Sequence, residues 1–427
     1  MTMHDPNANG YIPYEQRRVV VTGLGCITPL GNDVATSWDN CREGRGGVGP
    51  ITLFDAGEMP VRIAAEVKGF DAGEVLGRKE ARRSSRVIHL AMVAAREAAA
   101  DSGLDLGAEA DDIGVLIGSG IGGLDVVERA SIAVHEQGWR RVSPFTVPSL
   151  IPDMAAGMVA IDLGVKGPNF CVVSACATGA HAIGEAAHVI RRGDAVAMLA
   201  GGTEAGITAV GIAAFAITQA LSTRNDEPER ASRPFDRDRD GFLTAEGAAV
   251  MMLEDYEHAK ARGARVYGEV VGYGATADAN HITQPAPDGE GAIRCMRRAL
   301  QGAGRRPDEV GYINAHGTST QLNDVAETRA FKAVFGDDAY RIPVSSTKSM
   351  TGHLLGAAGA FEAMVCLLAM RDQYLPPTIN LDNADPECDL DYVPNVGRSA
   401  TPTLTLSTSF GFGGHNAALL MAPPPDA

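Results

Sequence analysis

The stretch NFCVVSACATGAHAIGEAAHVIRRGDAVAMLAGGTEA, residues 169–205, predicts a strand, a helix and a second strand in immediate succession. The apolar run that ends at Ser174 is typical of a buried strand, and the small residues of 177–192 favour a helix that ends in a turn at Gly193. A second apolar run continues to Ala200. Strands joined through a helix pair in parallel, so this segment indicates an α/β fold.

Similar runs flank this unit on both sides. Apolar segments that end in glycine or polar loops predict strands, and alanine-rich segments with helical spacing predict helices, of which the first is expected on the surface. The predicted strands and their loops are 17–24, 113–120, 311–320, 341–349 and 401–407, and the predicted helices are 84–102, 126–137, 324–334 and 354–370.

The recurrence of this order predicts two βαβ-rich halves that share one core. Residues 17–266 form the first half, which carries a candidate nucleophile, and residues 267–427 form the second, which carries two candidate histidines. Residues 1–16 are polar and are predicted to be a disordered extension. The charged, proline-rich segment 221–242 predicts a long surface loop.

The composition limits the partners and the compartment. The chain of 427 residues has 37 basic and 53 acidic residues, and its net charge of −16 argues against nucleic acid as the main partner. Seven cysteines lack CxxC spacing and a compact Cys/His cluster, so we expect free thiols and no required metal. The polar N-terminus and the short apolar stretches predict a soluble, cytoplasmic protein without a membrane span.

Cys176, in SACATG, is the strongest candidate nucleophile. It lies between the predicted strand and a helix of small residues, where unpaired N–H groups and the helix dipole are expected to lower the pKa of its thiol. A buried, inert cysteine is the alternative. The position at a strand-to-helix junction favours the nucleophile.

Two histidines and a lysine follow predicted strands. His316 opens the loop HGTST, in which Thr318 and Thr320 are placed to hydrogen-bond a polar ligand. His353 precedes a helix, and the helix dipole and the charge of Lys348 disfavour its protonated form. Either histidine alone is more often structural. Together they predict a site that stabilises an enolate or an oxyanion, because a neutral imidazole can donate a hydrogen bond to it.

Three further features leave alternatives open. Glu362 lies on an apolar helix face, where it is either buried, and then paired or bound to a cation, or exposed on the surface. The glycines of STSFGFGGHN, 407–416, either turn N–H groups toward an oxyanion or form an ordinary hairpin. GSGIGG, 118–123, matches the dinucleotide fingerprint, but no acidic residue ends a second strand about 20 positions later, which argues against a nucleotide site.

The motifs SACATG, HGTST and KSMTGHLLGAAG, together with GFGGHN, PFDRDRDGF and PPTINLD, resemble those of the elongating β-ketoacyl-acyl carrier protein synthases, closest to type II. The resemblance covers nearly the whole chain from residue 17 to about residue 421. It implies a thiolase-like fold, with a duplicated core layered α/β/α/β/α, and a homodimer. It also implies that Cys176 takes an acyl group from acyl carrier protein, and that His316 and His353 assist the decarboxylating condensation with malonyl carrier protein.

The resemblance implies further roles. The backbone N–H groups of Cys176 and Phe412 form the oxyanion hole, and Phe412 also gates the site. Thr318 and Thr320 bind the phosphopantetheine that the carrier protein brings, and no other cofactor is implied beyond a possible monovalent cation at Glu362. The positions implied to bind the acyl chain are Ile121, Phe215 and Phe410, and those implied to contact the acidic carrier protein are Lys79, Arg82, Arg83, Arg140 and Arg141.

Two positions depart from the family pattern, and three rival interpretations remain. Gln219 stands where a carrier-contacting arginine is common, and His415 replaces the usual threonine of GFGGTN. A coenzyme A thiolase typically pairs one histidine with a second cysteine, unlike this site. A non-catalytic chain-length factor lacks the nucleophile that Cys176 supplies. A polyketide ketosynthase is harder to separate by sequence.

Overall fold

The structure, a computed structural model, describes residues 17–425, so the predicted extension 1–16 lies outside the described residues. Its strands are β1 (Val19–Ile27), β2 (Gly49–Pro50), β3 (Ile63–Ala64), β4 (Ile113–Gly118), β5 (Asn169–Phe170), β6 (Ala197–Glu204), β7 (Gly247–Asp255), β8 (Gly268–Ala277), β9 (Tyr312–Asn314), β10 (Val344–Ser345), β11 (Tyr374–Leu375), β12 (Arg398–Ser399), β13 (Thr405–Gly411) and β14 (His415–Ala422).

The helices alternate with these strands for most of the chain. They are α1 (Val34–Arg42), α2 (Arg78–Ala81), α3 (Arg86–Ser102), α4 (Leu124–Gln137), α5 (Thr146–Leu150), α6 (Met154–Leu163), α7 (Thr178–Arg192), α8 (Ala209–Ile217), α9 (Tyr256–Ala261), α10 (Glu290–Gly302), α11 (Gln321–Phe335), α12 (Lys348–Thr351) and α13 (Ala358–Asp372). Within the described range, no helix has the length and apolar character needed to cross a membrane.

The main sheet contains the same strand arrangement twice. Its order is β10-β9-β13-β14-β8-β1-β7-β6-β4-β5. From β1 outward, β7 and β6 are antiparallel and β4 and β5 then follow in parallel. From β8 outward, β14 and β13 repeat the antiparallel pairs, and β9 and β10 the parallel ones. Only two residue pairs join β1 to β8, so two series of strands meet at one seam.

Helices complete five layers. The helices α7 and α13 pack against each other between the two series, α3 and α6 cover the first series, and α10 and α11 cover the second. Every residue of α13 from Ala358 to Met370 is buried, as expected for an apolar helix enclosed on all sides. This arrangement confirms the predicted duplicated, thiolase-like α/β core.

The helix predicted over 84–102 is not a surface helix. It is α3, and most of its residues are buried against β1 and β7. The glycines of β1 allow this contact: a Cβ on Gly23 or Gly25 would lie 2.1 Å or 2.0 Å from a carbonyl oxygen of α3. The alanines that suggested a surface helix therefore permit close helix-to-sheet packing.

Segment 221–242 is largely a loop, as predicted, but it is not confined to the surface. Arg233, Asp236 and Arg239 in this segment are at most 4% exposed. Their charges are paired internally, since Arg233 contacts Asp236 at 3.0 Å and Arg239 pairs with Asp385. Charged residues that suggested solvent exposure thus form buried ion pairs, which tie the segment to the second half.

A charged cluster around His258 predicts a pH-dependent stability. His258 Nδ1 lies 2.7 Å from Glu254 and Nε2 lies 2.9 Å from Glu109. Burial opposes protonation, but the hydrogen bond to Glu254 and the two carboxylate charges outweigh it and raise the pKa of His258. A raised pKa contributes stability below the unfolded value of about 6.5, and this contribution is lost as pH rises through the folded pKa.

We therefore expect His258→Ala to lower the melting temperature more at pH 6 than at pH 8, with a destabilisation of about 1 kcal/mol at the lower pH. Thermal scans of both proteins across this range measure the difference. A deficit that is constant, or that grows with pH, would show that the charged form does not supply the stabilisation.

Candidate active site

A sharp turn between β5 and α7 presents Cys176. The strand predicted to reach Ser174 ends at Phe170, because β5 is an edge strand that pairs only through two residues of β4. A turn of 3₁₀ helix, Ala175–Ala177, then precedes α7, and Ala175 has a left-handed φ of +50°. A non-glycine residue with positive φ is a feature that clusters at functional sites.

The β13–β14 hairpin lies directly over this turn. A Cβ on Gly411 would lie 2.7 Å from Ser174 O and 3.1 Å from Cys176 N, so only glycine permits the approach. The backbone N–H of Phe412 lies beside the Cys176 thiol, where it acts to lower the pKa of that thiol. The glycine segment is therefore a hairpin, and its Phe412 N–H lies beside the sulfur; the oxyanion role stays a prediction.

Burial determines the protonation of Cys176. Removal from water raises the pKa of its thiol to about 12, and the charge of Lys348 opposes this rise most strongly. The expected lowering of this pKa by the helix start is therefore wrong, because desolvation of the thiolate outweighs the favourable charges. The thiol is protonated at neutral pH, and its proton leaves when a substrate is attacked.

His316 and His353 meet edge to face beside the cysteine. Their ring centroids are 5.4 Å apart with an angle of 81° between the planes. The N–H of Leu355 donates to Nδ1 of His353 at 3.2 Å, which leaves the proton on Nε2. Burial and the charge of Lys348 hold the pKa of both imidazoles well below the usual value. Both rings are therefore neutral, as predicted for His353.

Lys348 and Glu362 form a buried ion pair, each 2% exposed, on helices α12 and α13. Of the two alternatives for Glu362, the buried and paired one is confirmed. Its Oε2 has no hydrogen-bond partner among the described residues, and neither do the side chains of Asn314 and Ser409. Carboxylate, amide and hydroxyl oxygens without partners are the kind of ligand that a hard cation takes. Within 17–425, no cluster of three or more His, Cys, Asp or Glu residues suits a metal ion.

A cavity of about 440 Å³ opens over the cysteine and the two histidines. Thr318 and Thr320 line it with their hydroxyl oxygens 2.9 Å apart. Its wall also includes Phe215, Gln219, Phe410 and Phe412. Ile121 is not part of this wall but packs against the core close to Leu355, which lines the cavity, and His415 begins β14 opposite Gly411.

The five residues predicted to contact the carrier protein form an exposed set of unpaired basic side chains in the described part of the chain. All of them are exposed, and none forms an ion pair with a carboxylate within residues 17–425: Lys79, Arg82, Arg83, Arg140 and Arg141. Arg82, Arg83 and Arg141 line a second cavity of about 280 Å³, where the guanidinium of Arg83 lies 5.3 Å from the ring of Phe145. An unneutralised basic surface on an acidic chain suits an acidic partner.

Two buried glutamates escaped the sequence interpretation. Glu327 accepts the backbone N–H groups of His316 and Gly317 at 2.8 Å. Glu204 accepts those of Gly120 and Ile121, so the GSGIGG loop has these donors occupied and cannot offer them to a phosphate. The signal that could have revealed Glu204 is its position at the end of an otherwise apolar strand, AMLAGGTE.

Comparison with known proteins shows which families share this arrangement. The family model "Beta-ketoacyl synthase, N-terminal domain" matches residues 16–259, and "Beta-ketoacyl synthase, C-terminal domain" matches residues 267–382. A protein of Synechocystis sp. named 3-oxoacyl-[acyl-carrier-protein] synthase 2 is 55% identical over 95% of this chain and 98% of its own length. A protein of the same name from Coxiella burnetii is 52% identical over 96% and 99%.

Solved structures show the same similarity. A beta-ketoacyl synthase from Burkholderia phymatum is 36% identical, with a TM-score of 0.88 over 95% of this chain and 99% of that one. A ketosynthase structure described as a complex with a type II polyketide acyl-carrier protein is 35% identical, also with a TM-score of 0.88, over 96% of this chain and 100% of that one.

Proposed function

This chain belongs to the beta-ketoacyl synthase family and is an elongating condensing enzyme of fatty acid synthesis, and from that premise we propose how its site performs the reaction. The observation that carries the proposal is the convergence of Cys176, His316 and His353 on one cavity. The higher identity to relatives named 3-oxoacyl synthases, compared with the polyketide ketosynthase, favours fatty acid elongation over polyketide synthesis.

The first step transfers an acyl group to Cys176. The sulfur attacks the thioester carbonyl of acyl carrier protein, and the phosphopantetheine thiol leaves with the proton that the cysteine loses. The N–H groups of Cys176 and Phe412 hold the tetrahedral oxyanion. The position of the Phe412 N–H beside the sulfur supports this assignment, because it places a donor next to the reacting atom.

The second step condenses the bound acyl group with malonyl carrier protein. Loss of carbon dioxide moves an electron pair to the malonyl thioester, and the resulting enolate oxygen accepts hydrogen bonds from His316 and His353. The enolate carbon then attacks the Cys176 thioester, and the cysteine thiolate leaves. The neutral imidazoles support this role, since a donor that keeps its proton stabilises an enolate without quenching it.

The acyl carrier protein delivers the thioester substrates. In this proposal it docks on the exposed basic surface formed by Lys79, Arg82, Arg83, Arg140 and Arg141. Thr318 and Thr320 hold its phosphopantetheine arm at the cavity wall, and Phe215 and Phe410 border the acyl chain. Phosphopantetheine arrives with the carrier. A monovalent cation at the unpaired oxygen of Glu362 would balance charge beneath the site.

Charge reversal tests this docking surface. We expect the pair Arg82→Glu and Arg83→Glu to raise KM for acyl carrier protein about tenfold, with kcat nearly unchanged, because exposed charges act on encounter and binding. Reversing Arg305 and Arg306, which are exposed on the second half of the chain rather than the first, is the control and should leave KM unchanged. Equal effects of the two pairs, or a loss confined to kcat, would contradict docking at this surface.

The proposal also covers assembly and compartment: the protein forms a homodimer in the cytoplasm. The edge strand β5 is exposed, with its Phe170 at 40%, and so is Val173, which follows it, at 52%. An exposed apolar strand edge favours pairing with a second copy. All seven cysteines are free, which suits a reducing compartment.

Incubation with octanoyl and malonyl acyl carrier proteins tests the function. We expect mass spectrometry to detect the extended 3-oxoacyl carrier protein and release of carbon dioxide from labelled malonyl groups. Products from coenzyme A thioesters alone would favour thiolase chemistry. Repeated extension without intervening reduction would favour a polyketide ketosynthase.

A further inference from the structure

Glu204 joins three segments around the active site. Its Oε1 accepts the hydroxyl of Ser119 at 2.7 Å and the N–H of Ile121 at 3.3 Å. Its Oε2 accepts the N–H groups of Gly120 at 2.9 Å and Gly356 at 3.0 Å. The residue is 0% exposed, and none of these four partners is cationic. The carboxylate therefore serves as a shared acceptor for two loops from opposite halves of the molecule.

The first of these loops lies behind the acyl-binding side of the cavity. It carries Ile121, which is partly buried against the main hydrophobic core. Just past Glu204, Gly206 lies between two side chains, because a Cβ there would be 3.3 Å from Ile121 Cδ1 and 3.4 Å from Leu355 Cδ1. Leu355 itself lines the cavity. Movement of the Ile121 loop would therefore change the shape of the pocket.

The second loop carries the catalytic histidine. Gly356 follows Leu355, whose N–H fixes the tautomer of His353. The turn Leu355–Ala357 occupies the same place before α13 as Ala175–Ala177 does before α7, and Leu355 and Ala175 share a left-handed φ of +49° and +50°. Gly356 is thus the counterpart of the nucleophile in the second half.

The contact between the two loops is tight. A Cβ on Gly356 would lie 2.5 Å from Gly120 N and 2.9 Å from Glu204 Oε2, and a Cβ on Gly202 would lie 2.1 Å from Gly356 O. Burial raises the pKa of Glu204 to about 7, while the four hydrogen bonds lower it. The space between the two loops is too small for a different acceptor group. The carboxylate therefore determines the distance between these loops.

We propose that Glu204 is a positioning residue that holds the acyl-pocket loop of Ile121 and the turn behind His353 as one rigid unit. The inference rests on the proposed condensing function and adds a determinant of acyl selectivity to it. A rigid pocket wall discriminates among chain lengths, and a fixed histidine is held where the enolate forms.

Steady-state kinetics with butyryl, octanoyl and palmitoyl carrier proteins test the inference in Glu204→Gln. Glutamine replaces one carboxylate oxygen with an NH₂ group, which cannot accept the N–H donors on that side. We expect kcat to fall about tenfold and the ratio of kcat/KM between the best and the poorest chain to fall at least about threefold. Ser119→Ala, which removes one donor, should shift both values in the same direction by a smaller factor.

Glu97→Gln is the matched control. Glu97 also accepts two backbone N–H groups, from Cys26 and Val34, and burial raises its pKa to about 7, but it does not line the cavity. The Glu97→Gln variant should have a lower melting temperature than the wild type and an unchanged chain-length selectivity. If Glu204→Gln and Ser119→Ala match this control, the inference is overturned. If Glu204→Gln does not fold, Ser119→Ala decides alone.

The same assay separates this inference from the proposed function. A wild-type protein that forms no 3-oxoacyl product would contradict the condensing function and, with it, the role of Glu204. Condensation by the wild type, combined with an unchanged selectivity ratio in both site variants, would overturn the role of Glu204 alone.

Discussion

Replacing Cys176 with alanine is expected to abolish condensation, with a loss in kcat/KM of more than about 10⁴-fold. No other cysteine of the described chain lines the cavity, so no second thiol can accept the acyl group. Intact-protein mass spectrometry after incubation with octanoyl carrier protein provides the direct measurement. The wild type should gain one octanoyl group, and the variant should gain none.

Cys171→Ala is the control for this experiment. Cys171 precedes the nucleophile by five positions and is also partly exposed, but it lies outside the cavity. Its replacement should leave the octanoyl adduct in place at Cys176. An octanoyl adduct on the Cys176→Ala protein, or loss of the adduct from the Cys171→Ala protein, would contradict the assignment of Cys176 as the nucleophile.

The order of elements was predictable because it depends on local pattern. The helix predicted over 177–192 is Thr178–Arg192, and the helix predicted over 354–370 is Ala358–Asp372. The burial of α3 and of segment 221–242 was not predictable in the same way. Both depend on partners far along the chain, such as the glycines of β1 and Asp385.

The site shows the same division between local and long-range information. Polar residues that follow predicted strands, such as His316 and Lys348, stood out in the sequence. The raised pKa of Cys176 did not, because it results from burial by surrounding elements of both halves. Glu204 was missed for a related reason: its four donors come from 83 to 152 positions away in the chain.

Replacing His353 with alanine should separate the two chemical steps. The variant removes the Nε2 donor that the Leu355 N–H bond holds in place, and loss of one such donor costs about 10²–10³ in kcat. Because the enolate forms only after acylation, the octanoyl adduct at Cys176 should still appear at a rate within a few fold of the wild type. Release of labelled carbon dioxide and rapid-quench acylation measure the two steps independently.

His188→Ala controls for the loss of an imidazole, since His188 lies on α7 with an exposed side chain, edge-on to Tyr273 and away from the cavity. Equal losses of acylation and decarboxylation in His353→Ala would place His353 in proton removal from the thiol instead. The raised pKa of that thiol makes this the decisive alternative, because the thiol must lose its proton in the first step, whereas a donor to the enolate is needed only in the second. Retained acylation with lost decarboxylation therefore assigns His353 to the enolate and excludes it as the base that deprotonates the thiol.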